Sequence, residues 1–408
     1  MSEPVSIPSS DLRQRRRIRL VPRMKDQGYA PDQVAKRRQW VEKTTDCQLE
    51  HVGAYSLPSE AMRGNIENPI GAVQMPLAVA GPLEVAGEHA EGTFYVPLAT
   101  TEGALVRSYE RGMVAITRSG GASARVWVDE NRVSPVFMLA DVAAAHDFAQ
   151  RVEAHLDQVR EVAESTTSHG RLLRVECFPV GREVILNFCY FTGDAQGMNM
   201  IVKASEKACR WIQQHLDGPR FYVFSGYNSE KRASGALLRG GKGKKVTAGV
   251  RVPASIVKAV LHTSPERLVD MWRHTVLGHL QAGAMGYNGH YANGLTALFI
   301  ACGQDVANVA NAAVGITHFE LTAGGDLYAS VTLPSLTVAT VGGGTSLGTS
   351  RECLDMLGCS GSGKALKFAE ITAATVLAGE LSMGGAIGSG EFVEAHELYG
   401  RNRPEAAG

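Results

Sequence analysis

Apolar residues along this chain change their spacing several times, and each change predicts an element. Leu105, Val106, Tyr109, Met113 and Ile116 recur at helical spacing, so a helix is expected from near Thr101 with those side chains on one face. Alternating positions then predict strands at 124–128 and 134–139, followed by a charged helix at about 142–163. Further alternation at 172–178 and 182–191 ends in the turn Thr192, Gly193, Asp194, and a helix follows at about 198–216. Strand, helix, strand, strand, helix is the order of a small α+β unit over roughly 126–223.

Around this middle the pattern differs. Residues 1–66 are polar, with helix formers from Pro31 to Lys43, and read as a helical lead-in. Residues 68–83 are turn-rich and apolar, a segment expected to lie across a surface or between two units. A helix at about 254–285 leads to GYNGHYANG, and another runs to Gly303. Alternation at 327–333 and 335–341 predicts two strands. The last helix, at about 363–387, is lined by small residues such as Ala373, Ala374, Ala378, Gly379 and Ser382, which suit close helix contact.

Composition narrows the class. The 408 residues exceed what one simple core needs, so two or more structural units are expected. Forty-one basic residues balance 41 acidic ones, which gives no global field for nucleic acid or an anionic membrane. The five arginines between Arg13 and Arg19 are most simply a solvated basic arm. Seven cysteines without a CxxC pair fit neither a disulfide framework nor a zinc site, so a reducing cytoplasm is expected and no metal. No apolar stretch approaches the roughly 20 residues of a membrane span, and no secretory leader is recognised. The 45 glycines cluster, as in enzymes whose backbone approaches ligands closely.

Single motifs decide little. GGKGKK (240–245) and GGGTSLG (342–348) resemble phosphate loops but lack the Lys-Ser/Thr ending of a P-loop. No GxGxxG follows a first strand, so an ordinary Rossmann domain is not supported. The combination is more specific. ENPIG (67–71), ATTEG (99–103), RSGGASARV (118–126), DAQGMNM (194–200), SGYNSEKR (225–232), GHYANGLTALFIACGQD (289–305), TVGGGTSL (340–347) and LAGELSMGGAIGSGEFVEAH (377–396) occur in that order. Over roughly residues 35–400 they resemble the 3-hydroxy-3-methylglutaryl-CoA (HMG-CoA) reductase family, in particular the branch shared by eukaryotes and archaea.

The resemblance implies a multidomain α/β (α+β) fold. A helical segment (1–66) would precede a large acyl-CoA-binding domain (67–125 and 224–408). A ferredoxin-like small domain (126–223), inserted into the large one, would bind the nicotinamide cofactor. It implies reduction of an acyl thioester to an alcohol by two hydride transfers. NADPH is favoured, NADH is possible, and CoA is part of substrate and product. A homodimer or larger assembly with a shared site is expected, without nucleic acid or membrane as partner.

Residue by residue, the resemblance gives Glu102, Lys231, Asp305 and His396 catalytic roles. Alone, Glu102 is an acid favoured by a helix dipole, Asp305 a helix N-cap, Lys231 a solvated lysine and His396 a tail histidine. As family residues, Glu102 exchanges the carbonyl proton, Lys231 steadies charge on the carbonyl oxygen, and His396 protonates the departing thiolate on a mobile flap. A proton-donating Glu102 needs burial or a like charge to offset a helix N-terminus and a nearby lysine. Asp305 is the residue the resemblance supplies, hydrogen-bonded with both. Arg125, Ser225 and Arg232 match residues that hold the HMG carboxylate, and Arg111, His290 and Asn293 also fall to the substrate. His290 reads equally well as a satisfied buried histidine. Asp194, Gly197, Met198 and Asn199 would form the cofactor loop, where backbone N–H groups meet phosphate.

Departures from the family pattern bear on specificity. Arg232 stands for a lysine, and His274, beside Arg273, for a carboxylate-binding lysine. Ser168 replaces an arginine suited to the 2′-phosphate of NADPH, with Arg171 nearby, and Glu110 replaces an asparagine near the CoA phosphates. Two other readings therefore stand: a reductase of the same fold acting on another branched acyl-CoA, and a noncatalytic acyl-CoA-binding protein.

Overall fold

The structure is a computed structural model that describes residues 21–22 and 27–390. Its contacts divide the chain into Met1–Gln74 and Met75–Gly408. The first unit contains α1 (Pro31–Thr45) and α2 (Glu50–Gly53). Within it Arg37 is buried and donates to the backbone oxygens of Pro22, Gly28 and Pro69, which offsets the cost of desolvating its charge.

The second unit begins with the antiparallel pair β1 (Leu77–Gly87) and β2 (Glu91–Ala99). Prolines and glycines at 69–82 suggest turn, but the ladder starts at Leu77↔Ala99. Next comes α3 (Leu105–Arg118), whose buried face holds Leu105, Tyr109, Met113 and Ile116. The helix starts later than Thr101 because Ala104 takes a left-handed conformation, φ 68°, immediately before it. Glu102 therefore lies in the loop before the helix, outside the first helical turn.

Strand β3 (Ala122–Val133) is shared between two regions of a 10-stranded sheet. Its first part pairs with β8 from Ser123↔Gly249 to Glu130↔Gly243, and its last residues pair with β6 at Asn131↔Tyr190. The chain between these partners runs β4 (Val136–Met138), α4 (Val142–Ala154), α5 (Leu156–Glu164), β5 (Arg171–Val180), β6 (Glu183–Phe191), α6 (Met198–His215) and β7 (Phe221–Tyr222). Pairing gives the order β7-β4-β6-β5, all antiparallel, which is the β-α-β-β-α-β pattern. A separate apolar core, from Val133 to Leu216, packs Phe137, Phe148, Phe188 and Ile212 under this sheet. The helix expected at 142–163 is two helices, parted at His155.

The rest of the unit carries β8 (Gly243–Val252), α7 (Ala254–Leu261), α8 (Pro265–Ala282), α9 (Tyr291–Ala301), α10 (Val309–Ala312), β9 (Ile316–Leu321), β10 (Leu327–Leu336), α11 (Gly348–Met356) and α12 (Ala365–Ser389). Two expectations change here. The helix at 254–285 breaks between α7 and α8, because His262 is left-handed (φ 54°) and Ser264 caps a new start ahead of Pro265. The strand expected at 335–341 does not form, since the β10 ladder ends at Leu336↔Lys244.

Helix α12 is the axis of the larger core. It packs against α3, α7, α8, α9, β1, β3, β8 and β10. By length and composition it is apolar enough to cross a membrane, contrary to the sequence expectation, yet 89% of that window is buried within the protein. Small residues permit this density. A Cβ on Gly112 would lie 1.8 Å from the Ala378 oxygen, so α3 and α12 touch through backbone. Phe368, Leu377 and Leu381 are fully buried, each worth about 1.5–3 kcal/mol of transfer free energy.

Candidate active site

Two carboxylates and a lysine are the described residues to which the sequence points for chemistry. Lys231 lies in a loop whose Ser229 and Lys231 both take left-handed conformations, φ 55° and 54°. Non-glycine residues adopt that region at a cost, typically at functional loops where the surroundings enforce it. Lys231 Nζ meets Asp305 Oδ2 at 2.7 Å, with both side chains more than a third exposed (44% and 39%). Asp305 Oδ1 also accepts from the Ala307 N–H at 3.1 Å. The aspartate is thus both the helix cap that its position suggests and the partner of the lysine.

Glu102 is exposed, and its Oε2 accepts from Asn293 Nδ2 at 2.8 Å. Among the described residues, no hydrogen bond or ion pair joins Glu102 to Lys231 or Asp305. Within one chain the expected trio is two separate pairs.

Asn293 stands in the first turn of α9 and His290 is the residue before that helix. Under them lies Glu380 of α12, a residue the sequence reading passed over. It accepts from the backbone N–H of Gly289 and of His290, both at 2.8 Å, from Thr317 Oγ1 at 2.6 Å and from His290 Nδ1 at 3.1 Å. Because a carboxylate only accepts, His290 must carry its hydrogen on Nδ1. Burial pushes the Glu380 carboxyl up, but the bonds from His290, Thr317 and Gly289 outweigh it and hold its pKa below the ordinary value. Tyr109 stacks on the imidazole at 5.4 Å. The histidine is therefore satisfied on one nitrogen and held in place for the other. The signal for Glu380 was present in the sequence: an acid in a helix that is otherwise almost wholly apolar needs a buried partner.

Substrate residues inferred from the resemblance are spread among several elements. Arg125 is exposed on β3 and donates to the Ala86 and Ala124 oxygens. Ser225 donates to the Ser134 oxygen at 2.7 Å, and Arg232 is exposed one residue beyond Lys231. Arg111 donates from Nε to Ser382 Oγ and from Nη2 to the Ser382 oxygen, at 2.9 and 2.6 Å, and so ties α3 to α12. Glu110 pairs with Arg107, and His274 lies 3.6 Å from Asp270 on its own helix. His396 lies outside the described residues.

The segment that the resemblance assigns to the cofactor leads into α6. Gly197 precedes the helix at φ 74°, and no side chain caps its N-terminus, so the amides of Met198 and Asn199 open an 18-residue helix. An uncapped helix start of this length suits a phosphate. Asp194 is used differently: its carboxylate accepts from the N–H groups of Gly363, Lys364 and Ala365 at 2.7–3.0 Å, at the start of α12. Its backbone oxygen accepts from Thr340 and Val341, which joins DAQGMNM to TVGGGTSL. Ser168 Oγ lies 2.8 Å from His169 Nδ1, and Arg171 is exposed at the start of β5.

The lysine–carboxylate pair, the second carboxylate held by an amide and the uncapped helix start lie in a protein of mixed α/β architecture. Its sequence matches the hydroxymethylglutaryl-coenzyme A reductase family over residues 33–401, and the chain belongs to that family. It is similar to the 3-hydroxy-3-methylglutaryl-coenzyme A reductase of Methanothermobacter thermautotrophicus, 45% identical over 90% of this chain and 92% of the relative. It is also similar to reductase 1 of Oryza sativa subsp. japonica, 36% identical over 91% of this chain and 71% of that one. In fold it resembles the class II reductase of Streptococcus pneumoniae, solved bound to NADPH in open conformations. There the TM-score is 0.66 and identity 19%, over 86% of this chain and 92% of that one.

Proposed function

We propose that this chain is an HMG-CoA reductase of the mevalonate (isoprenoid) pathway. It reduces HMG-CoA to mevalonate and free CoA with two reduced nicotinamide cofactors. Family membership over most of the chain supports the activity, and the Lys231–Asp305 pair is the observation that supports its chemistry. An ammonium steadied by a carboxylate, on a loop of enforced geometry, is suited to a carbonyl oxygen that gains negative charge.

The residues present fit a nicotinamide dinucleotide. Met198 and Asn199 amides would receive a phosphate at the uncapped start of α6, and Ser168 and Arg171 flank a loop that packs on Met200 of the same helix. When bound, the reduced nicotinamide supplies hydride. Lys231 stabilises the oxyanion in both reductive steps, and Glu102, oriented by Asn293, exchanges the proton at that oxygen. His290, fixed by Glu380, Arg125, Ser225 and Arg232 hold the acyl group. His396 protonates the thiolate that leaves between the two steps. NADPH is the favoured cofactor, with NADH accepted.

The assembly is a homodimer or larger, in the cytoplasm, with its site completed between subunits; that Glu102 and Lys231 engage different partners within one chain supports that reading. Stoichiometry tests the reaction. A thioester carbonyl needs two hydrides to reach an alcohol, so the purified protein is expected to oxidise two reduced nicotinamides per HMG-CoA and release one thiol. One nicotinamide per thioester, with free aldehyde accumulating, refutes it.

A further inference from the structure

The glycine-rich run at 240–245 is no phosphate loop, and what it does is specific. Gly240, Gly241 and Gly243 have φ of 90°, 100° and 89°, and a Cβ on Gly243 would lie 2.4 Å from the Leu336 oxygen. This backbone, available to glycine alone, turns Lys242 inward until its side chain is wholly buried. A lysine buried to that extent needs a carboxylate, and Lys242 Nζ pairs with Glu230, the residue immediately before Lys231. Lys242 Nζ also lies 3.0 Å from Met198 Sδ, at the first position of α6. Asn131 Nδ2 bridges the same place, 2.8 Å from the Gln196 oxygen and 3.5 Å from Met198 Sδ.

Glu230 sits between the two left-handed residues Ser229 and Lys231, so its side chain is the inward anchor of the loop and Lys231 the outward arm. Left-handed φ values at two non-glycine residues are unfavourable unless something holds them. The ion pair is placed to do so.

We propose that Lys242 is a positioning residue for Lys231. Through Glu230 it fixes the loop that presents the lysine to Asp305, and through Met198 it joins that loop to the start of the cofactor-binding helix. The inference rests on the assignment of Lys231 and of residues 194–199 given above. Burial lowers the Lys242 pKa against the pull of Glu230, in keeping with a charge kept only while its partner is present.

The full chain is tested as Lys242→Met, Glu230→Gln and the double variant, with two readouts. The first is turnover of HMG-CoA with NADPH, beside the melting temperature. Lys242→Met leaves Glu230 buried without its partner, so both should fall. Turnover should drop by about a hundredfold, the scale of a reacting group misplaced by an ångström, with KM for HMG-CoA changed much less. The double variant removes both charges and should recover the melting temperature while turnover stays low, because the tether is still missing. Recovery of turnover together with stability would show the pair to be mere scaffolding and overturn the proposal. So would wild-type turnover in Lys242→Met. The second readout is hydrogen exchange at the amides of 226–232, expected to quicken in both Lys242 variants whatever the reaction is. If the wild-type chain proves inactive on HMG-CoA, the functional reading fails, and this exchange still decides the positioning. Unchanged exchange rejects it.

Discussion

The Lys231–Asp305 pair and the Glu380–His290 pair both set a carboxylate against a cationic or protonatable nitrogen, but in opposite environments. The first is more than a third exposed on both sides and sits on a loop with left-handed residues. The second is nearly closed off (4% for Glu380, 16% for His290), with four hydrogen bonds arriving at one carboxylate from two stretches of chain. Solvent screens the first, so its net contribution to folding is small, about 0–1 kcal/mol. Desolvation makes the second costly to break, because the groups left behind cannot turn to water. The exposed pair is free to rearrange, and the enclosed pair keeps the geometry of the residues around it.

Removing one partner from each pair should separate stability from activity. Glu380→Ala strands two backbone N–H groups, the Thr317 hydroxyl and His290 Nδ1, and should cost about 3–5 kcal/mol of unfolding free energy, read from denaturant titration. Lys231→Ala should leave that free energy within about 1 kcal/mol of wild type. Its turnover should instead fall about 10²–10³-fold, equivalent to about 2.7–4 kcal/mol, as when an oxyanion donor is removed. Reduction of added mevaldehyde should fall as well, since that step also charges a carbonyl oxygen. A Lys231→Ala protein that melts far below wild type, or a Glu380→Ala protein as stable as wild type, would undo the contrast.

Acid sharpens the same comparison with a smaller effect. The folded pKa of Glu380 lies below its unfolded value, so its contribution is fully present above the unfolded carboxylate pKa, about 4.3, and is lost as pH falls through the folded value. Glu380→Gln has no such group. The stability gap between wild type and Glu380→Gln should therefore be constant near neutrality and narrow as pH falls below about 4.3. A gap that widens in acid would mean that Glu380 is held protonated.

Much of this was legible in the sequence, and the failures share a cause. Long periodic segments such as α3, α6 and α12 came through because burial repeats along them. The start of α3 and the breaks after α4 and α7 did not, because the single residues Ala104, His155 and His262 set them through backbone conformation. Strand β8 was hidden by the glycines that begin it, and β1 by its proline and glycine. In the site, Asp305 was legible as both cap and partner. Glu380 and Lys242 were not read as site residues: a charge in an apolar run or a glycine run signals a buried partner, but which partner it is comes only from the fold. Those partners lie 90 and 12 residues away.

The smallest expected effect concerns cofactor choice, at an exposed position outside both pairs. Ser168 is exposed and its hydroxyl engages the neighbouring His169, while Arg171 is exposed nearby on β5. A guanidinium fork on a phosphate is worth roughly 1.5–3 kcal/mol, and screening in the open reduces this toward the lower end. The wild-type chain should therefore prefer NADPH over NADH by much less than a thousandfold, with NADH turning over measurably. Ser168→Arg should raise the NADPH/NADH ratio of kcat/KM by about tenfold, the equivalent of 1.4 kcal/mol, and that gain should shrink as salt is added. Arg171→Ala in the same background tells which arginine makes the contact. If Ser168→Arg leaves the ratio unchanged while Arg171→Ala abolishes the preference, Arg171 already holds the phosphate and the serine is no deficit. If neither changes it, the 2′-phosphate lies away from residues 168–171, and their assignment to the cofactor is wrong.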